Sequence, residues 1–186
     1  MGTATIYIDG GYLDKVLYHD FANRRINYEV LAREMASPDE LLRAYYYHCM
    51  PYQSNPPTED ERQRYSSMHR FVKKLSYLPR FEVRLGRLAF RGRNRDGSPI
   101  FIQKRVDTMV GVDMALLAGK GRVTKMAIFT GDSDYIPAIE AVKREGILVI
   151  LWHGSFSENT SPSRELCEVC DERIQLKPEI VEKIAR

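Results

Sequence analysis

Short apolar runs that alternate with helical patterns constrain the fold of this chain more than any other feature. The runs at 4–8, 125–130 and 147–153 are apolar at nearly every position, as expected of strands buried on both faces. Strands of this kind, separated by helices, pair into a parallel sheet with helices on both sides. The sequence therefore predicts an α/β fold around a mainly parallel sheet.

The remaining segments continue the alternation and show no linker or internal repeat. Thr58 and Glu61 have capping-box spacing and open a long polar helix to about Tyr77. The Asp96-Gly97 pair between two β-rich runs predicts a hairpin. We expect residues 1–186 to form one domain, with a hairpin inserted at about 81–105. Further helices are expected at about 12–21, 27–35, 106–118 and 135–146, with strands at 41–50 and 173–176, a short helix before the latter and another helix after it.

Acidic residues follow two of the apolar runs at the point where each run ends. Asp9 follows the first run, and Asp132 and Asp134 follow the second with one serine between them. The carboxyl ends of parallel strands lie on one edge of a sheet, and α/β proteins bind ligands beyond that edge. These three acids are therefore expected to share one rim of the sheet.

Two further acids, Asp107 and Asp113, lie on the predicted helix at 106–118 and differ by about 120° around its axis. Asp107 alone, or Asp134 alone, has an ordinary explanation as a helix N-cap. Convergence of several acids on one rim has no such explanation, because like charges repel. A hard cation removes the repulsion, and carboxylate oxygens suit Mg²⁺ or Mn²⁺. We expect Asp9, Asp107, Asp132, Asp134 and Asp113 to contribute to a site for Mg²⁺ or Mn²⁺.

Groups suited to a phosphate substrate surround these acids in the sequence. The Gly10-Gly11 turn and Ser133 offer backbone N–H groups near helix N-termini, and Tyr12 offers a ring for stacking on a base. The segment from Arg84 to Arg105 holds seven basic residues and one acid, within a chain whose net charge is +3. A polyanion is one explanation of this strip, and a solvated hairpin edge is the other. Our candidate substrate-binding residues on the strip are Arg91, Arg93, Lys104 and Arg105.

Cysteine usage and apolar content bear on the compartment. Three cysteines do not suggest a disulfide framework. Cys167 and Cys170 form a CxxC that, with Cys49 and a histidine, could bind zinc, although two core-facing thiols on a helix are the simpler interpretation. No signal peptide, lipid anchor or membrane-spanning run is recognisable, so we expect a cytoplasmic protein without membrane association. The oligomeric state is left open, with a homo-oligomer possible.

Four segments resemble the NYN domain, in particular its LabA-like branch within the PIN-like nuclease superfamily. They are IYIDGGYL (6–13), KRVDTMVGVDMALL (104–117), TGDSDYIPAIEAVKREGILVIL (130–151) and SPSRELCEVCDERIQL (161–176), in the family's order. The resemblance implies a PIN-like three-layer α/β/α sandwich and a metal-dependent ribonuclease site. It implies metal-binding roles for Asp9, Asp107 and Asp132, with Asp134 as the second acid of the GDSD motif and Asp113 as a supporting acid. Many NYN domains have Asn at the position of Tyr12.

The sequence thus predicts a nuclease that cleaves phosphodiester bonds with clustered aspartates and Mg²⁺ or Mn²⁺. The preference for RNA over DNA comes from the resemblance alone. The alternative is an RNA-binding regulatory module of the same fold with negligible turnover. A haloacid-dehalogenase-like phosphatase is disfavoured, because the second acid of its nucleophile motif is missing after Asp9. No P-loop and no GxSxG motif is present.

Overall fold

The computed structural model describes residues 2–97 and 99–185, except for the side chains of Pro99, Gln103 and Lys104. Seven strands form one sheet. They are β1 (Thr3–Asp9), β2 (Glu40–Cys49), β3 (Phe81–Arg93), β4 (Pro99–Lys104), β5 (Lys125–Phe129), β6 (Leu148–His153) and β7 (Glu172–Gln175). The helices are α1 (Gly10–Phe21), α2 (Tyr28–Ala36), α3 (Glu59–Ser76), α4 (Val106–Ala118), α5 (Ile136–Arg144), α6 (Arg164–Val169) and α7 (Pro178–Ile184), with a 3-10 turn at Ser133–Tyr135.

The strand order is β4-β3-β2-β1-β5-β6-β7, and every pair is parallel except β3 with β4. From β1 the chain builds outward through β2 to β3, and then returns to β1's other side to add β5, β6 and β7. The direction of winding therefore reverses between β1 and β5. Such a reversal opens a crevice at the carboxyl ends of the two strands, where α/β proteins bind ligands.

Helices cover both faces of the sheet, as the apolar runs predict. Ile6 and Ile8 belong to a buried cluster with residues of α1, α2, α3 and α7. Tyr7, between them, belongs to a second cluster with residues of α4, α5 and α6. Because successive side chains of a strand point to opposite faces, the two clusters are the two cores of an α/β fold.

The expected elements are present, with ends that differ by a few residues. The capping box at Thr58 and Glu61 forms at the start of α3, and the Asn27 side chain caps α2. Helix α4 spans the predicted 106–118, whereas α1 begins two residues earlier than predicted. The hairpin of β3 and β4 is antiparallel. No helix in the described part of the chain combines the length and apolarity needed to cross a bilayer.

Lys125 is a buried charge at the start of β5, and its side chain joins β5 to the end of α2. The residue is 3% exposed, and its Nζ donates to the carbonyl oxygens of Ala36 at 2.5 Å and Ser37 at 2.9 Å. It also pairs with Asp39 at 3.1 Å. A buried cation is tolerated only when its partners satisfy it, as these do.

We expect Lys125→Met to lower the free energy of unfolding by about 3 kcal/mol, because the methionine leaves buried acceptors without a donor. Urea denaturation measures the change. Lys120→Met, at an exposed position, is the matched control and should alter stability by less than about 0.5 kcal/mol. Equal stability of the two variants would contradict a structural role for the buried ammonium group.

Candidate active site

Asp9 ends β1 and also caps α1, which begins immediately after it. Its Oδ1 accepts a hydrogen bond from the backbone N–H of Tyr12 at 3.1 Å. Burial raises the pKa of this carboxyl group, and the nearby charge of Asp132 raises it further, although the hydrogen bond from Tyr12 opposes the shift. The geometry fixes the carboxylate at the tip of a central strand, where its charge is poorly solvated.

Asp132 follows β5 on the neighbouring strand and is linked to Asp9 through Thr130. The Thr130 hydroxyl donates to Asp9 Oδ2 at 3.4 Å, and it accepts from the backbone N–H of Asp132 at 3.2 Å. Asp132 Oδ1 in turn accepts from the backbone N–H of Asp134 at 3.0 Å. One short chain of hydrogen bonds therefore connects the acids of both strand ends.

Asp107 lies in the first turn of α4 and approaches the same acids from another element. Partial loss of solvent raises the pKa of Asp107, and the charges of Asp132 and Asp134 raise it further. The nearby Tyr135 hydroxyl opposes this shift without reversing it. The N-cap explanations are wrong for both acids, because Arg105 precedes α4 without a side-chain cap and Asp132 caps the turn that holds Asp134.

The acids line one open cleft of about 660 Å³ at the carboxyl edge of the sheet. Lys15 of α1 lines it, and so do residues of the segment that follows β6. The structure thus brings together seven of the predicted residues, namely Asp9, Gly11, Tyr12, Asp107, Asp132, Ser133 and Asp134. Residues that were not predicted also line it, namely Lys15, Gly131, Tyr135, Glu158, Asn159, Ser161 and Ser163.

The segment after β6 is held against α1 by two side chains. The Tyr12 hydroxyl donates to the Thr160 carbonyl oxygen at 2.6 Å and accepts from the Gly154 N–H at 3.1 Å. Asp20 accepts from the backbone N–H and the hydroxyl of Ser155 and from the Thr160 hydroxyl. The Tyr12 hydroxyl therefore holds the segment after β6 against α1, while the Tyr12 ring lines the cleft.

Gly131 shows how closely the parts of the cleft are packed. A Cβ atom built on Gly131 would lie 2.4 Å from Cε2 of Tyr12, closer than atoms can approach. The carbonyl oxygen of Gly131 also accepts from the Ser163 N–H at 3.1 Å. The glycine thus allows the turn after β5 to pass between α1 and the start of α6.

Asp113 does not line the cleft. Its Oδ2 accepts from the Tyr47 hydroxyl at 2.8 Å and from Arg84 Nε at 3.1 Å. These bonds join α4 to β2 and to the base of β3. The structure therefore places this acid in a polar contact between elements, apart from the other four.

The remaining predicted substrate-binding residues lie outside the cleft. Gly10 is buried against Tyr46 and His48. Arg91 and Arg93 lie toward the far end of β3, where Arg93 donates to the Gly97 carbonyl oxygen at 2.8 Å. Arg105 is exposed at the junction of β4 and α4, and the side chain of Lys104 lies outside the described residues.

The donor set of the cleft fits a hard divalent cation in kind, because it consists of carboxylate and hydroxyl oxygens. Within the described side chains, none of the ion pairs involves Asp9, Asp107, Asp132 or Asp134. Across 2–97 and 99–185, no three acidic, histidine or cysteine side chains already surround one point. Mg²⁺ commonly takes only one or two carboxylates and retains its waters, so an open set of acids remains compatible with it.

The three cysteines lie in or against the hydrophobic core. Cys49 and Cys170 are buried in the core beneath α4, α5 and α6, and Cys167 packs against that core. Burial raises the pKa of the Cys170 thiol to about 12. The CxxC thus presents thiols to a hydrophobic core, which keeps them protonated.

With this geometry established, known proteins provide the comparison. The family model of the NYN domain matches residues 3–177. The chain belongs to the NYN domain family. This confirms the resemblance to the NYN domain and places the chain in the PIN-like nuclease family, whose members typically are nucleases and generally use divalent metals.

A solved structure shows the same fold as this NYN domain. A protein of unknown function from Vibrio parahaemolyticus matches with a TM-score of 0.59 and 17% identity, over 100% of this chain and 96% of that chain. At this identity the likeness concerns the fold alone. No curated protein matches the chain significantly.

The repulsion among the acids of this NYN domain predicts a dependence of stability on pH. Because the pKa values of Asp9 and Asp107 are raised in the folded protein, it holds protons more tightly than the unfolded chain does. Metal-free stability should therefore fall as pH rises from about 3.9, the ordinary pKa of an aspartate, through the raised values.

We expect Asp132→Asn to weaken this fall and to raise the melting temperature at neutral pH in EDTA by about 1–3 °C. Asparagine keeps the oxygen that caps the turn and removes only the charge. Differential scanning fluorimetry across pH measures the effect, with Glu172→Gln as a control at an exposed acid outside the cleft. A lower melting temperature for Asp132→Asn would show that the acids do not repel one another in the folded state.

We expect Tyr12→Phe to lower the free energy of unfolding by about 1–3 kcal/mol, because the Gly154 N–H loses its acceptor. Amide hydrogen exchange should accelerate in residues 155–161 more than in β1 or β5. Tyr18→Phe, on the exposed side of the same helix, should leave both quantities unchanged. Unaltered exchange in Tyr12→Phe would mean that the hydroxyl does not hold the segment.

Proposed function

We propose that this protein is a metal-dependent ribonuclease whose active site is the acidic cleft between β1 and β5. The observation that carries the proposal is the convergence of Asp9, Asp107, Asp132 and Asp134 at the reversal point of the sheet. Asp9 and Asp132 each cap a helical turn, but burial and the charge of Asp132 raise the pKa values of Asp9 and Asp107, so the proximity of the acids opposes folding. Membership of the NYN family supports a nucleic acid substrate.

We assign the binding of Mg²⁺ or Mn²⁺ to Asp9, Asp107 and Asp132, with Asp134 beside them. A bound ion would stabilise the negative charge of the transition state for phosphodiester cleavage. It would also lower the pKa of a water molecule that it binds. We leave Asp113 out of this set, since Tyr47 and Arg84 occupy its carboxylate.

The other groups of the cleft have tasks that do not depend on the ion. Tyr135 brings its hydroxyl close to the Asp107 carboxylate. Lys15 brings a positive charge to the wall, and Ser133, Asn159 and Ser161 bring hydrogen-bonding groups. Together they would orient the phosphate and ribose of one nucleotide over the acids.

The second candidate function is an RNA-binding module without turnover. The observation that favours it is the openness of the acid cluster, in which no three described donors surround a point. Such a module would keep its affinity for RNA when the aspartates of the cleft are substituted.

Cleavage of end-labelled single-stranded RNA in Mn²⁺, Mg²⁺ or EDTA separates the two. We expect metal-dependent products from the wild type, and at least about 100-fold slower cleavage by Asp132→Asn, since even residues behind metal ligands affect activity by 10–100-fold. Glu172→Gln should cleave like the wild type. RNA binding without products in either metal would overturn the nuclease assignment.

Asp113→Asn tests the assignment of the fifth acid. We expect it to lower stability and to leave unchanged the Mn²⁺ concentration that gives half-maximal cleavage. A shift of that concentration by more than about tenfold would return Asp113 to the metal site as the sequence predicted.

A further inference from the structure

The β3–β4 hairpin extends past the rest of the sheet on the side of the acidic cleft. Strand β3 pairs with β2 only from Phe81 to Gly86 and then continues from Arg87 to Arg93 with β4 as its partner. Because β3 runs parallel to β1 and β5, this extension leaves the sheet at its carboxyl edge. Seven residues of strand reach about 23 Å beyond that edge. We call residues 87–104 the arm.

A β-bulge orients the side chains of the arm. Phe90 pairs with Phe101 and Gly92 with Ile100, so Arg91 is an extra residue on β3. Gly92 adopts a φ of 130°. The extra residue reverses the alternation of side chains along the strand, and this places Arg93 on the same side as Leu88 and Phe90.

That side of the arm forms a groove with the segment between β2 and α3. The Tyr52 and Phe101 rings lie 4.7 Å apart, and the Phe90 and Phe101 rings lie 6.1 Å apart. Phe90 is 51% exposed and Tyr52 is 38% exposed. The exposed ring of Phe90 on the arm and that of Tyr52 on the adjoining segment flank the half-buried ring of Phe101. An exposed apolar patch of this kind marks a binding surface.

The charges around the groove indicate the chemistry of its occupant. Arg64 and Arg93 line it together with the rings, over a volume of about 640 Å³. Its acid, Glu61, accepts hydrogen bonds from the Ser54 N–H and hydroxyl and from the Thr58 N–H, which hold the pKa of that carboxyl at about 2. The carboxylate is thus turned to its own loop, while the guanidinium groups are the charges available to a ligand.

We propose that this groove holds single-stranded RNA by stacking unpaired bases on Phe90, Phe101 and Tyr52, with Arg64 and Arg93 at the phosphates. The proposal rests on the proposed function, because it takes its polyanion from there. Aromatic rings beside a positively charged track are the usual means of binding single strands without sequence preference. The bases of a duplex are already stacked on one another, so they are not free to stack on these rings.

The groove is connected to the cleft through β4 and the first turn of α4. From Phe101 the chain runs along β4 to Lys104 and enters α4, whose first turn holds Asp107. That path covers about 15 Å. A strand bound in the groove would therefore direct its continuation toward the acids.

Fluorescence anisotropy with labelled oligouridine of about 12 nucleotides tests the proposal. All proteins carry Asp132→Asn and are kept in EDTA, so that the RNA stays intact. We expect Phe90→Ala and Phe101→Ala each to weaken binding at least about fivefold. Phe101→Tyr should restore affinity, and Tyr77→Ala, which removes a 76% exposed ring at the other end of α3, should change nothing.

Salt dependence separates stacking from charge. The alanine variants should lower affinity at every salt concentration without changing the slope of log K against log salt. Arg93→Gln should reduce that slope by about one. If the Phe90→Ala/Phe101→Ala double variant binds within twofold of its Asp132→Asn parent, the proposal is overturned. An equal loss of affinity for blunt duplex RNA would also overturn it.

The two proposals fail in distinguishable ways. If the wild type binds oligouridine through the rings but never cleaves it in Mn²⁺ or Mg²⁺, RNA binding by the groove is supported and the nuclease assignment is overturned. If the wild type cleaves and the double variant retains full affinity, the nuclease assignment stands and the groove is overturned. Melting temperatures equal to that of the wild type would exclude unfolding of the variants as the cause.

Discussion

The parallel pairing of β1 with β5 is the constraint on which the rest of the site depends. The register runs from Ala4 opposite Lys125 to Ile8 opposite Phe129, so Asp9 and Thr130 each follow the last pair by one residue, and Asp132 comes two residues after Thr130 at the same edge of the sheet. Strand β5 is buried throughout and β1 is buried except at its two ends, and their pairing fixes the points from which Asp9 and the turn with Asp132 continue. The repulsion between the acids is therefore held in place by the hydrophobic core, which favours a ligand that removes it.

The elements around this pair are held by polar contacts that a hydrophobic pattern does not specify. Thr130 joins the two strand ends, the Tyr135 hydroxyl lies near Asp107, and Tyr12 holds the segment that follows β6. Burial raises the pKa of Tyr12 to about 12, so its hydroxyl stays protonated and continues to donate. Each of these groups is a hydroxyl, which can both donate and accept without adding charge to an already acidic site.

The fold was predictable because its signals are local and repeated. Consecutive apolar residues indicated the central strands, and Asn27 and Thr58 gave the starts of two helices through capping that involves only neighbouring residues. The acids at strand ends followed from the topology of parallel sheets. The same rule, applied to the strand predicted at 147–153, would have pointed to the segment that carries Glu158 and Asn159.

Other features depended on contacts between distant residues and could not be predicted. Asp113 and Asp107 looked alike in the sequence, and only the positions of Tyr47 and Arg84 separate their roles. Thr130 was read as the end of a strand, since nothing local shows that its hydroxyl reaches Asp9. The groove was also missed, because Tyr52 and Phe101 are 49 positions apart in the sequence and the bulge at Arg91 is not visible in the pattern of side chains.

The junction between β4 and α4 ties the arm to the acidic cleft. Arg105 adopts a φ of 78°, a left-handed conformation that is unfavourable for a residue with a side chain. At Arg105 the chain turns from β4, which ends at Lys104, into α4, which begins at Val106. This turn brings Asp107 toward the other acids. The polar contact of Arg84 with Asp113 also holds β3 against α4. Because the arm is attached to the core both through β3 and through the turn at Arg105, its orientation and the position of Asp107 are set by the same few residues. We therefore expect a substitution that relaxes Arg105 to alter the orientation of the arm and the position of Asp107 together.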